Sequence, residues 1–280
     1  MSIQIHPYTF ILSLYGQYVL PRGEEIWIGS IIRALGALDF SAGAVRTLVS
    51  RMQRGGYLQS ERVGRRSFYR LTDLGLKEVG WGSKRAFTPP DDEWDRQWTI
   101  VAYSVPEKHR KRRDALRQSL NGLGFGPLAP GTFLSPHPLP PEAEGKWRKY
   151  EVWEYLEVFR AQHLGPSNTL ALVSRAWPQL PELKDRYQSY IAGYEPILGR
   201  FEAGDLDDES CFAARLRSLA DFIAITLQDP NLPPALLPAD WPRPVAKLLF
   251  KELQQALTEP AASFFGTIYE TKGESDDQRT

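Results

Sequence analysis

The chain has 280 residues, 42% hydrophobic and 24% charged, which is the balance of an ordinary folded protein with room for two or three domains. Its 34 Lys and Arg match its 34 Asp and Glu, but residues 1–87 carry twelve basic side chains against six acidic ones, so a basic front precedes an acidic body. A single cysteine, Cys211, excludes an intrachain disulfide and a cysteine-built zinc site, and no apolar run approaches the roughly 18 residues that cross a bilayer.

Tyr8 to Leu20 reads as an apolar helix stopped by Pro21-Arg22-Gly23. Glu25 to Leu38 reads as a second helix, with Ile28, Ile31, Ile32 and Leu35 on its core face. Ser41 is an N-cap for a third, because its hydroxyl can accept from a first-turn N–H. Val45, Leu48, Val49 and Met52 then share one face of that helix, leaving Arg46, Thr47, Ser50, Arg51 and Arg54 outside. Gly55-Gly56 ends it. Tyr57 to Arg62 and Ser67 to Leu71 alternate as strands, joined by a Val63-Gly64-Arg65-Arg66 turn.

Three helices and an arginine-tipped hairpin are the order of a winged helix-turn-helix. Only Glu61 opposes the seven arginines between residues 41 and 71, so double-stranded DNA is the expected partner. Arg46, Thr47 and Ser50 are assigned to base edges; Arg51, Arg62, Arg65 and Arg66 are assigned to phosphates, or at the wing tip to the minor groove. For Arg51 a salt bridge within the domain is the competing reading.

Thr72 caps a further short helix, and Phe87 to Asp92 is a breaker-rich linker, giving a first domain over 1–87. Trp98 to Val105 is strand-like, Glu107 to Leu123 a polar helix, and Leu128 to Leu134 a second strand. Tyr150 to Phe159 fits strand or helix, and Thr169 to Ser174 reads as a short buried strand. This order suggests a ferredoxin-like α+β domain over 93–175. Leu180 to Glu202, Asp207 to Leu227 and Pro242 to Leu257 are helical, making a helical domain over 176–268, and the polar residues 269–280 are expected to be disordered.

Arg22-Gly23, Trp27-Ile28-Gly29-Ser30, Ala44-Val45-Arg46-Thr47, Ser50-Arg51, Gly56-Tyr57-Leu58 and Val63-Gly64-Arg65-Arg66-Ser67 resemble the N-terminal signature of the phenylacetic acid degradation repressors, the PaaX family. The resemblance continues through Tyr103 to Glu107, Leu123 to Gly126, Asp229-Pro230, Leu236-Leu237-Pro238 and Asp240-Trp241-Pro242. It implies a dimeric bacterial repressor of phenylacetic acid catabolism, with a winged helix, a ferredoxin-like middle and a helical C-terminal domain. It also implies release from the operator by an acyl-CoA, typically phenylacetyl-CoA. One departure is the run Phe222 to Gln228, largely apolar here and often polar with His and Arg in relatives.

The middle domain also resembles the small ferredoxin-like CRISPR-associated metal nucleases, whose first strand ends in a Tyr-Asp-Ile-Pro-like run. Here the run is Tyr103-Ser104-Val105-Pro106, and a neutral Ser104 is a poor ligand for a hard cation. The fold is therefore expected without nuclease activity, and no catalytic set, metal site or cofactor is assigned. Among basic residues 108–113, Arg110, Arg112 and Arg113 are assigned to the effector's CoA phosphates, with operator DNA or a solvated helix face as alternatives. Trp147, Trp153, Tyr155, Tyr187, Tyr190 and Tyr194 suit an aromatic acyl pocket or an ordinary core. Asp207, Asp208 and Glu209 suit a metal cluster or a helix start. With no signal peptide evident, the expected location is the cytoplasm.

Overall fold

The computed structural model describes residues 7–87, 93–165 and 168–272, apart from the side chains of 83–87. The expected linker therefore lies largely outside the described residues. The chain is mixed α and β, with two antiparallel sheets, and divides into two compact units. One is built from residues 1–88, 186–225 and 243–280; the other from 89–185 and 226–242.

In the first unit, α1 (Tyr8–Leu14) passes into a wider turn and a 3-10 turn before Gly23 and Glu24 reverse the chain with positive φ. After this reversal Glu25–Trp27 is a strand, β1, and only Ile28–Gly36 is helical (α2), so the single helix expected over 25–38 is corrected. A Cβ at Gly29 would meet the Trp27 ring at 2.2 Å, so this corner admits no side chain there. Next come α3 (Ala42–Arg54), β2 (Leu58–Val63), β3 (Arg66–Leu71) and α4 (Asp73–Phe87). The strand order is β1-β3-β2, with Trp27 opposite Phe68 and Val63 opposite Arg66.

Most of α8 (Leu180–Glu202) and α9 (Asp208–Thr226), with α10 (Arg243–Ala256) and α11 (Thr258–Ile268), supply the rest of this unit. Residues 176–268, expected as one helical domain, are thus divided between the units, and α11 has no counterpart among the expected helices. Phe212, Leu216 and Phe265 share a core with Ile11, Leu35, Val45 and Met52, each burial contributing about 1.5–3 kcal/mol. Tyr18 packs between Phe212 and Phe265 at 5.1 and 5.0 Å, and its hydroxyl accepts from Arg215 at 2.9 Å. The apolar run starting at Phe222 serves packing: Phe222 stacks on Phe250 at 4.3 Å.

Residues 269–272 are corrected from disordered to ordered. Tyr269 donates to the carbonyls of Arg22 and Glu25, and the Trp27 N–H donates to the Glu270 carbonyl at 3.1 Å. Residues 273–280 lie outside the described ones.

The second unit runs β4 (Trp98–Tyr103), α5 (Arg110–Gly122), β5 (Gly126–Ala129), β6 (Thr132–Ser135), α6 (Pro141–Lys149) and β7 (Leu156–Ala161), with sheet order β5-β6-β4-β7. The strand expected over 128–134 is instead a hairpin that turns at Pro130 and Gly131, the latter at φ +73°. Trp147 fills the core and donates to Ser119 Oγ at 3.0 Å.

Thr169–Ala176 is a helix, α7, which corrects the expected strand. Asn168 Oδ1 accepts from the Ala171 N–H at 2.8 Å, and this cap starts a helix in a run rich in the helix formers Leu and Ala. Leu172, Val173 and Ala176 fall on its buried face and Leu170 stays exposed. A Cβ at Gly126 would lie 2.6 Å from the Ala176 carbonyl oxygen, so α7 packs directly on β5 backbone.

Candidate nucleic-acid interface

The best-supported surface is made by α3 and the β2–β3 hairpin. Ser41 Oγ accepts from the Ala44 N–H at 3.2 Å, starting the helix at the expected residue. Val45, Leu48, Val49 and Met52 are all buried, which turns the opposite face outward. Arg46, Thr47, Ser50 and Arg51 are exposed on that face, with Gln53 and Arg54. Thr47 uses its hydroxyl on the Gly43 carbonyl at 2.9 Å, and Gln53 donates to Ser60 at 3.0 Å, tying helix to hairpin.

The hairpin closes in two residues. Gly64 at φ +58° occupies the first central position, as the right-handed strand twist requires. Arg65 stands exposed beside it, and Arg62 Nε donates to the Gly64 carbonyl at 3.1 Å. Arg46, Arg51 and Arg65 meet no carboxylate among the described residues, so their charge faces solvent. For Arg51 this removes the salt-bridge alternative among those residues.

Arg66 differs. Its Nη1 donates to Glu270 Oε2 at 2.7 Å, and its guanidinium lies 4.8 Å over the Trp27 ring. Arg33 shares the same carboxylate and the same ring, at 5.6 Å from the ring centre. Lys272 pairs with Glu61 and, at 3.0 Å, with Glu25; it holds the Glu61 carboxyl below its ordinary value. No local sequence pattern points to Glu270 or Lys272, because their partners lie roughly two hundred positions away along the chain. Arg54 and Arg70, also exposed, extend the basic face.

The residues assigned to an effector do not converge. Arg112 pairs with Glu151, Arg113 with Glu107 at 2.7 Å, and Arg110 approaches Asp114 at 3.9 Å. Arg113 also lines a cleft with Tyr103, Ser104 and Arg117, where Ser104 is exposed at the end of β4. The six aromatic residues split: Trp147, Trp153 and Tyr155 belong to the second unit, Tyr187, Tyr190 and Tyr194 to the first. Asp207 Oδ1 accepts from the Ser210 N–H at 2.8 Å and caps α9, which lowers its pKa.

An exposed basic helix and arginine-tipped hairpin, joined to a four-stranded βαββαβ sheet and C-terminal helices, is the make-up of one family of regulators. Three family models match in chain order: PaaX-like protein over residues 7–75, the PaaX protein central Cas2-like domain over 91–173, and the PaaX-like protein C-terminal domain over 177–267. The chain belongs to the PaaX family. It is 29% identical over 275 residues to the transcriptional repressor PaaX of Escherichia coli (strain K12), covering 96% of this chain and 86% of that one. In fold it is similar to the uncharacterized protein Rv0674 from Mycobacterium tuberculosis, with a TM-score of 0.52 and 19% identity over 93% of this chain and 97% of that one. Among the described residues no helix is long and apolar enough to cross a membrane.

Proposed function

We propose that the chain is a cytoplasmic transcriptional repressor that binds double-stranded operator DNA and leaves it on binding an acyl-CoA, phenylacetyl-CoA first among them. The carrying observation is the outward face of α3, where Arg46, Thr47 and Ser50 stand over a fully buried apolar stripe, next to Arg65 on a tight hairpin. In this reading α1–α3 and the hairpin are a winged helix-turn-helix, with α3 in the major groove. The second unit's sheet is a ferredoxin-like fold that serves assembly. Its Ser104 takes the place of a metal-binding carboxylate, so we assign no nuclease activity.

A homodimer with two-fold symmetry needs a nearly palindromic operator, its half-sites about 34–36 Å apart or a multiple of that. The ligand must bind the released form more tightly, since equal affinity for both forms shifts nothing. The test is binding to a fluorescent fragment of the protein's own upstream DNA, with and without phenylacetyl-CoA, at two salt concentrations. Salt-sensitive binding abolished by phenylacetyl-CoA is expected. No binding to the fragment overturns the DNA assignment, binding insensitive to salt overturns the phosphate contacts, and binding indifferent to the ester overturns the effector.

A further inference from the structure

Within the first unit, α8, α9, α1 and the turn between α2 and α3 line an open cleft of about 740 Å³, in the size range of small-molecule sites. Tyr190, Tyr194 and Ile197 of α8 give it an aromatic and aliphatic floor. Arg200 and Arg217 supply two exposed guanidinium groups among its lining residues. The third side is Asp39 and Phe40, the turn that leads straight into the Ser41 cap of α3.

One side chain joins the cleft to that turn. Arg217 donates to the Leu38 carbonyl at 3.1 Å and to Asp39 Oδ2 at 3.3 Å. The contact with Asp39 is long and Asp39 is 92% exposed, so that ion pair is weak and open to exchange. Asp39 itself sits at φ +70°, a conformation that a non-glycine residue holds only when its surroundings maintain it. An anion that draws Arg217 away therefore loosens the turn before the helix assigned to the major groove.

We propose that this cleft is the effector site, taking an aryl or short acyl group joined to an anionic head. The apolar end lies on Tyr190, Tyr194 and Ile197, and the head meets Arg200 and Arg217. This rests on the reading that a small acyl compound releases the operator. A free carboxylate carries its charge next to the acyl group, whereas a CoA thioester carries it on phosphates at the far end of the pantetheine arm. Both offer an apolar group and an anion, and the experiment separates them.

Gly193 offers a clean probe, because it lines the cleft on α8 and a Cβ there meets nothing within 4 Å. The full-length protein, Gly193→Leu and Arg200→Gln/Arg217→Gln are titrated calorimetrically with phenylacetyl-CoA, phenylacetate and CoA, and each is assayed for operator binding. Gly193→Leu is expected to keep operator binding and lose at least tenfold in affinity for the ligand that wild type binds. The double variant is expected to weaken the same ligand. Wild-type binding of phenylacetyl-CoA but not phenylacetate identifies the thioester; the reverse identifies the free acid. Unchanged ligand affinity in Gly193→Leu overturns the site while leaving the effector reading intact. No binding of either acyl compound by wild type overturns both.

Discussion

Glu270 and Arg66, 204 residues apart, meet through a 2.7 Å hydrogen bond that ties the segment after α11 to the tip of the wing, next to its turn. Trp27 lies under the same guanidinium, and Arg33 completes the cluster. A side chain expected to contact phosphate is thus already half neutralised by its own chain, whereas its neighbour Arg65 is not. Arg65→Ala should therefore reduce the slope of log affinity against log salt by about 1, and Arg66→Ala by clearly less. Arg66→Ala should instead cost about 0.5 kcal/mol of stability, given how exposed the ion pair is. Fluorescence anisotropy across a salt series, with urea denaturation alongside, separates the two; equal slopes for both variants would refute the distinction.

Arg46 projects from the first half of α3 and meets no carboxylate among the described residues. If it reads a guanine edge, Arg46→Ala costs about 1–3 kcal/mol on the cognate operator and far less on unrelated DNA. Competition binding with substituted operators checks this. A loss equal on every sequence would reassign Arg46 to a phosphate.

Ser41→Ala removes the acceptor for the Ala44 N–H and should cost about 1 kcal/mol of stability. Ser41→Asp, which keeps an acceptor and places a negative charge at the helix start, should restore it. Chemical denaturation of the three proteins settles the point.

Asp221 is largely buried beside Tyr194, whose hydroxyl donates to it at 2.5 Å. Burial raises its pKa, opposed by that hydrogen bond and by Arg217. The folded state then holds a proton that the unfolded chain has released, so this group's contribution falls as pH rises through the interval above the ordinary carboxylate value of about 3.9. Asp221→Asn keeps an acceptor for Tyr194 and removes the titration. The variant should be at least as stable as wild type at pH 7, with the gap closing near pH 4. A variant clearly less stable at pH 7 would show that the charged form is the favoured one.

Much of the first unit was legible locally. The Ser41 cap, the stripe from Val45 to Met52, and Gly64 in its turn are short-range facts of spacing and conformation, and they place Arg46, Thr47, Ser50 and Arg65 on one outward surface. The helix limits of Leu180–Glu202 followed from period and breakers in the same way. Other elements needed their surroundings. Thr169–Ala176 is a short apolar run whose period alone does not separate strand from helix. It folds as a helix because Leu and Ala favour one, Asn168 caps it and the end of the helix packs on Gly126. Glu25–Trp27 became a strand because β3 offers it an edge to pair with.

The pairings across long stretches of chain were beyond any reading of local pattern. Arg66 with Glu270, Arg215 with Tyr18 and Arg217 with the turn at Asp39 exist only once α9 to α11 share a core with α1 to α3. Spacing along the chain determines which face of a helix is apolar. Which distant face covers it, and hence which arginines stay free for a partner, is decided by packing, because burial is collective while periodicity is local.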